Sequence, residues 1–187
     1  KRPKRLGFPL IVKSLIYESS IGISQASVVA SEDQLNKRVQ FVHDTIGTAA
    51  IVEQFIEGRE LYAGVLGNDR LRVFPVWEMS FAKMPENSWH IATERVKWSA
   101  KYQEKHGIDT GEAALTYGAA SRVQHLAKRV FRALDLTGYA RVDLRMAADG
   151  RLFVIEANPN PQLALEEDFA QSARLAKVSY GELLDRI

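Results

Sequence analysis

Asp149 and Gly150 separate two short runs whose polar residues are spaced by two, Arg141 and Asp143 before the pair and Glu156 and Asn158 after it. An Asp-Gly pair between alternating runs is a strong hairpin signal and predicts a two-residue turn centred on it. In that register Ala148 pairs with Arg151, Asp143 lies opposite Glu156, and Arg141 lies opposite Asn158. Side chains alternate along a strand, so Arg141, Asp143, Glu156 and Asn158 share one face while Val142, Leu144, Phe153 and Ile155 share the other. Directly opposed like charges destabilise a strand pair, which calls for a cation between them. Arg141 offsets part of that repulsion. Two carboxylates and an amide oxygen also make a hard oxygen site of the kind that holds Mg²⁺ together with substrate phosphates. A solvent-facing hairpin with alternating polar residues is the other reading of the same pattern.

Periodicity and punctuation predict the elements that must carry this hairpin. Leu10, Ile11 and Val12 read as a buried strand ending at Lys13, followed by a loop of small residues at Ser19, Ser20 and Gly22. Ser31 and Gln34 form a capping box ahead of Leu35, Val39 and Val42, predicting a helix to about His43. Runs rich in β-formers cover Ala50 to Phe55, Glu60 to Leu66 and Leu71 to Met79, with a turn at Gly67-Asn68-Asp69. Residues 82 to 111 show little periodicity and predict a long surface excursion, a length at which loops are usually functional lids or disordered. Val123, Leu126, Val130, Phe131 and Leu134 mark an amphipathic helix from about Tyr117 to Leu134, with its arginines and lysines in solvent. Beyond the hairpin Pro159 and Pro161 stop the second strand. Two helices follow, one from about Glu166 to Ala176 and one opened by a capping box at Ser179 and Glu182.

Composition narrows the function classes. The 187 residues are 46% hydrophobic and 26% charged, average values for a globular chain and enough for one domain or two small lobes. No cysteine is present, which excludes a disulfide framework, a thiol nucleophile and a thiolate metal site, and suits a reducing cytoplasm, the expected location. The four histidines match no zinc spacing, and the apolar runs fall far short of a membrane span. Lys1, Arg2, Lys4 and Arg5 supply four of the 25 basic residues, leaving 21 against 23 acidic ones in the rest of the chain. The basicity is therefore a tail, and the body lacks the basic face that nucleic acid requires. No signal-peptide pattern follows the tail, and without an initial methionine the chain reads as part of something longer.

Taken in order, the motifs from about Phe8 to Asn160 resemble those of the ATP-grasp superfamily, specifically its D-alanine:D-alanine ligase branch. Phe8-Pro9-Leu10-Ile11-Val12-Lys13 resembles the strand that ends in a phosphate-binding lysine. Tyr17-Glu18-Ser19-Ser20-Ile21-Gly22-Ile23-Ser24 resembles the loop that closes over the nucleotide phosphates. Glu53-Gln54-Phe55-Ile56-Glu57-Gly58-Arg59-Glu60 is similar to the hinge between the two lobes, and Ala100-Lys101-Tyr102 to a lid loop whose lysine reaches the terminal phosphate. Ala140-Arg141-Val142-Asp143 and Ile155-Glu156-Ala157-Asn158 match the metal strands, the same four residues that the hairpin register selects.

The resemblance implies an α+β ATP-grasp fold, two lobes with antiparallel sheets gripping ATP, without the N-terminal substrate domain. Its divisions would be a basic tail over 1–7, a partial small lobe over 8–55 and a large lobe with the metal site over 56–187. It implies ATP and two Mg²⁺ ions as cofactors, with Mn²⁺ as a substitute. Lys13, Ser19, Ser20, Glu53, Gln54, Ile56, Glu60 and Ile155 would meet the nucleotide, Glu60 at the ribose hydroxyls. Asp143, Glu156 and Asn158 would hold metal, and Lys101 and Arg141 would act in catalysis. The implied activity is ATP-dependent ligation of a small-molecule carboxylate to an amine through an acyl phosphate, with no nucleic acid or membrane partner and a homodimer as the oligomer to test for. A non-catalytic nucleotide-binding module, regulatory or structural, is the alternative. Three departures stand out: Glu18 replaces a loop glycine, Gln162 the glycine of the oxyanion site, and Glu167 the serine that holds the second D-alanine's carboxylate. The last implies an acceptor amine that lacks a nearby carboxylate or is cationic, unless Glu166 and Glu167 serve only the helix N-terminus behind them.

Overall fold

The computed structural model describes residues 6–17 and 19–187. Lys1, Arg2, Lys4 and Arg5 of the expected tail, and Glu18 of the expected phosphate loop, lie outside the described residues. The chain divides into two compact units, the first running up to Ile56 and including Phe81–Ile108, the second comprising Glu57–Ser80 and Asp109–Ile187. The excursion after residue 80, expected within a lobe spanning 56–187, therefore belongs largely to the first unit. Gln25 shows why: its side chain donates to the Trp89 carbonyl at 2.9 Å and accepts from the Trp89 N–H at 2.7 Å. Ile91 is buried with Val28 and Phe55, and the Phe55 and Trp89 rings meet edge to face at 5.2 Å.

In the first unit β1 (Leu10–Ser14) lies between β2 (Val28–Val29) and β3 (Ala50–Gln54), antiparallel to both. Leu10, Val12 and Val29 pack on Leu35 of α1 (Glu32–Phe41) and on Val42. Leu6 joins this core and the Gly7 N–H donates to the Gln54 side chain, so the expected tail is already folded by its last two residues. The capping box of α1 closes as expected on Ser31 Oγ, but Gln34 reaches back to the Ala30 N–H. Within the excursion lie two short helices, α2 (Glu94–Trp98) and α3 (Ala100–His106), capped by Thr93 and Ser99. Helices of one or two turns are too short to print a periodicity.

The second unit is built on a sheet of β4 (Arg59–Leu66), β5 (Arg72–Val73), β6 (Trp77–Phe81), β7 (Ile108–Glu112), β8 (Tyr139–Met146) and β9 (Leu152–Asn158). Its order is β7-β6-β4-β8-β9 with β5 also on β4. The strand expected over Leu71 to Met79 is two strands, because Pro75 has no N–H to extend the ladder. The helix α4 (Tyr117–Ala133) covers one face, packing Val123, Ala127 and Phe131 on Leu61, Ala63, Val65, Ala140, Val142 and Leu144. These sheet residues are of one parity in each strand, so the opposite parity faces away from α4. Leu66 has that parity and packs with α5 (Asp168–Leu175) and α6 (Tyr180–Asp185) through Phe169, Ala173 and Leu183. Gly64 makes room for them, since a Cβ there would meet the Phe74 and Phe169 rings at 3.0 Å. The rest of that face carries the polar residues described below. Among the described residues no helix is long and apolar enough to cross a membrane.

Gly58, at φ +150°, lies where a Cβ would come within 2.1 Å of the Met146 carbonyl oxygen on β8. Gly58→Ala should therefore destabilise the second unit by about 2 kcal/mol or more in urea unfolding. Gly118→Ala, in open space on α4, should instead stabilise by up to about 1 kcal/mol.

Candidate functional site

The hairpin places its polar residues together by a route different from the expected two-residue turn. The Ala147 N–H donates to the Arg151 carbonyl and the Gly150 N–H to the Ala147 carbonyl, leaving a three-residue loop with Gly150 at φ +79°. Asp149 fixes this longer loop by accepting from the Arg151 backbone N–H at 3.0 Å and from its Nε at 2.6 Å. Pairing accordingly starts one residue out, with Met146 opposite Leu152, Arg145 opposite Phe153 and Leu144 opposite Val154. A bulge between Leu144 and Asp143 then leaves Ile155 unpaired, and beyond it Asp143 faces Glu156, Val142 faces Ala157 and Arg141 faces Asn158. The expected pairs are recovered. Phe153, however, lies on the polar face opposite Arg145, not with the core, and Ile155 is 41% exposed, not buried.

β4 completes this face, with Gly64 opposite Arg141, Tyr62 opposite Asp143 and Glu60 opposite Arg145. Arg141 grips Asp143 with two hydrogen bonds, Nε to Oδ1 at 2.7 Å and Nη2 to Oδ2 at 2.8 Å, and its guanidinium lies 4.7 Å above the Tyr62 ring. Arg145 Nη2 donates to Glu60 Oε2 at 2.7 Å, and the Tyr62 hydroxyl donates to Glu60 Oε1 at 2.9 Å. Both oxygens of Glu60 are thus engaged, so a ribose contact there would use the remaining lone pairs. Asn158 Oδ1 already accepts from the Asn160 N–H at 2.8 Å, while Glu156 is exposed.

Three carboxylates, Glu60, Asp143 and Glu156, outnumber the two guanidiniums of Arg141 and Arg145 on this face. Burial pushes the Asp143 carboxyl up to about 6 against the pull of Arg141, and the charges of Glu156 and Glu60 add to the rise. Asp143 therefore takes up its proton at a higher pH in the folded unit than in the unfolded chain, so its ionised form opposes folding fully above about pH 6, and that opposition fades as the pH falls from there towards the ordinary carboxylate range. For Arg141 burial lowers the affinity for its proton, but the hydrogen bonds and charge of Asp143 outweigh it and hold the group above its ordinary value. Burial first, then the charges of Glu60 and Asp143, pushes the Tyr62 phenol well above its ordinary range, fixing it as a donor. The donor chemistry of Asp143, Glu156 and Asn158 fits a hard cation whose shell is finished by other oxygens. Among the described residues no cluster of three or more His, Cys, Asp or Glu could hold a metal on its own. Tyr62 escaped the sequence reading, and so did Glu60 as the partner of Arg145, because both join the site only through the pairing of β4 with β8, strands about 80 residues apart in the chain; Arg145 itself shares the parity of Arg141 and Asp143 on β8.

The first unit gathers a smaller group. Glu53 is opposite Ile11 and Lys13 opposite Ile51, so Lys13 and Glu53 share a face of the β1–β3 pair and bridge at 2.6 Å. The pair is partly exposed and contributes little to stability. Gln54 spends its side chain on the Gly7 N–H and the Pro9 carbonyl, leaving only its backbone to the role implied for it. Ile56 is the last residue of the first unit before the chain crosses to the second. Ser19 and Ser20 both adopt left-handed backbone, φ 56° and 61°, a strained arrangement that clusters at functional loops. Trp98 Nε1 donates to the Ser19 carbonyl at 3.3 Å. Lys101, expected in a lid loop, is exposed on the first turn of α3.

The family described as D-ala D-ala ligase C-terminus matches residues 1–187. The D-alanine–D-alanine ligase of Desulfotalea psychrophila is 35% identical over 182 residues, 97% of this chain and 53% of that protein. That of Syntrophobacter fumaroxidans is 31% identical over 98% of this chain and 55% of its own length. The VanG D-Ala:D-Ser ligase from Enterococcus faecalis superposes with a TM-score of 0.75 at 23% identity, covering 97% of this chain and 49% of that one. The D-alanine–D-alanine ligase from Bacillus anthracis complexed with ATP gives 0.70 at 24% identity, with coverages of 97% and 51%. The chain spans about half the length of the curated relatives it matches. Matched by the family description along its whole length and sharing the fold of these ATP-grasp structures, the chain belongs to the D-ala D-ala ligase C-terminus family.

Proposed function

We propose that this chain is the nucleotide- and metal-binding part of an ATP-dependent carboxylate–amine ligase. The observation that carries this reading is the polar face of the second unit, where Asp143 opposes Glu156 and Arg141 opposes Asn158 with more carboxylate than guanidinium charge. Family membership supports ATP and a divalent cation. Asp143, Glu156 and Asn158 would hold two Mg²⁺ ions, or Mn²⁺ in their place. Bound there, the cations would supply charge neutralisation for the triphosphate. Lys13 and Lys101 add positive charge, Ser19 and Ser20 add loop donors, and Glu53, Gln54, Ile56 and Ile155 meet the base and Glu60 the ribose. Phosphoryl transfer asks a protein mainly for such positioning and charge compensation. A substrate carboxylate attacks the γ-phosphorus as ADP leaves, giving an acyl phosphate. The acceptor amine then attacks the acyl carbon and loses a proton as inorganic phosphate departs, while Arg141 donates to the oxygen that becomes anionic.

Asp143→Asn and Glu156→Gln should each weaken MgATP binding by tenfold or more in calorimetric titration. The exposed Glu156→Gln should leave the nucleotide-free melting temperature unchanged, whereas Asp143→Asn, which strips the partly buried Arg141 of its carboxylate, should lower it. Retained MgATP affinity in both variants would refute the metal assignment.

Arg141→Lys keeps the charge but loses the fork to Asp143 and the stacking on Tyr62. In the longer protein it should cut turnover about 10²- to 10³-fold with a smaller change in MgATP affinity. Parallel losses of melting temperature and rate would leave Arg141 a structural counter-ion only, and absence of phosphate release from the unsubstituted longer protein would favour the non-catalytic module.

The acceptor follows from Gln162 and Glu167. Glu167 occupies the N-cap of α5 yet makes no side-chain capping bond, which favours a role beyond the helix end. An acceptor carboxylate beside it would be opposed by charge repulsion. The longer protein should therefore ligate amines without a nearby carboxylate in preference to D-alanine in an amine panel, and Glu167→Ser should shift it towards D-alanine. Efficient use of free D-alanine with no gain in that variant would overturn this assignment.

A further inference from the structure

In the first unit an open cavity of about 630 Å³ lies among the Gly22–Ala26 loop, α1 and the α2–α3 segment. Arg38, in the last turn of α1, lines it and is only 8% exposed. Its Nη2 donates to the Gly22 carbonyl and, at 2.7 Å, to Ser27 Oγ, while its Nε is buried without a hydrogen-bond partner. No carboxylate pairs with it among the described residues, and burial alone lowers its affinity for the proton. A buried guanidinium held by one carbonyl and one hydroxyl is an uncompensated charge, costly unless something supplies the anion.

The cavity wall indicates what that anion is. Phe41, whose ring lies 4.5 Å under the Arg38 guanidinium, is 40% exposed, and Trp98 is 67% exposed; Tyr102 lines the same space. Arg95 adds a second positive charge, and Glu94, tied to the Gly22 N–H at 3.1 Å, removes one. The net charge suits a monoanion better than a phosphate dianion, and the rings suit a flat apolar body.

We propose that this cavity binds a small aromatic carboxylate, its carboxylate paired with Arg38 and its ring against Phe41 and Trp98. Because the same guanidinium holds the Gly22 carbonyl and Ser27, occupancy bears on the loop that carries Ser19 and Ser20. The proposal rests on the cavity of the first unit and stands apart from the ligation reading.

Calorimetric titration of the chain with 2-naphthoate and with 2-naphthamide tests it. The carboxylate should bind at least about tenfold more tightly than the amide, and Arg38→Gln should erase that difference. No binding, equal affinities, or a difference that survives Arg38→Gln would overturn the proposal. Should Arg38→Gln fail to fold, Trp98→Ala, at an exposed position, should weaken both probes several-fold, and unchanged affinities would overturn it equally. Naphthoate and MgATP should bind together; displacement of one by the other would assign the cavity to the nucleotide and refute an aromatic-carboxylate site.

Discussion

Leaving Ile155 without a partner on β8 shifts every pair beyond it by one residue, and the polar face of the second unit depends on that shift. Were the register near the turn continued, Asp143 would face Ile155, and Glu156 would pair with Val142, whose side chain packs under α4. A carboxylate would then be driven towards a core of Leu61, Ala63, Val142 and Leu144, at a cost of several kcal/mol. The bulge lets α4 keep an apolar face to cover while the end of β9 presents Glu156 and Asn158 on the other side. Bulges recur beside active sites because they re-aim side chains at little cost to the rest of a sheet.

Given that register, charge is organised in two layers. Arg145 and Tyr62 hold Glu60, and Arg141 holds Asp143 while resting on the Tyr62 ring, so Tyr62 joins both pairs through its hydroxyl and its face. Glu156 remains outside these bonds and exposed. A low-dielectric environment strengthens the inner pairs and leaves the outer carboxylate as the surplus charge. Burial first, and the surplus in smaller part, raises the proton affinity of Asp143. A cation placed there would relieve Asp143 and Glu156 together, whereas a proton can neutralise only one of them.

What the sequence discloses about this arrangement depends on how local each contact is. The capping box of α6, between Ser179 and Glu182, forms as written because all of its partners lie within three residues. The register of the hairpin was legible at Asp143 and Glu156 through two compensating errors, a turn one residue longer than Asp-Gly suggests and a bulge one residue further on. The faces of Phe153 and Ile155, which depend on those details separately, were misread. Tyr62 and the Arg145–Glu60 pair were invisible, since β4 and β8 are brought together by the whole sheet. The short helices α2 and α3 were hidden behind single hydroxyl caps, and nothing within α1 marks Arg38 as buried, because the Gly22–Ser27 segment that its guanidinium holds lies more than ten residues before it.

The segment after β9 shows how two prolines and two asparagines can be rigid without regular structure. Asn158 Oδ1 accepts from the Asn160 N–H, and Asn160 Oδ1 accepts from the Tyr139 hydroxyl at 2.9 Å, tying the turn back to the first residue of β8. Pro159 and Pro161 lack donors, so these side chains supply part of what a ladder would have supplied. The chain then reaches α5, where Asp168 accepts from Thr110 Oγ1 at 2.6 Å and its charge adds to the field at Arg141. With Asp168 serving both the first turn of α5 and that hydrogen bond, the helix N-terminus already has its acidic residue, and Glu167 is not needed for it. Glu167 is thus left exposed at the N-cap with its carboxylate uncommitted to the helix.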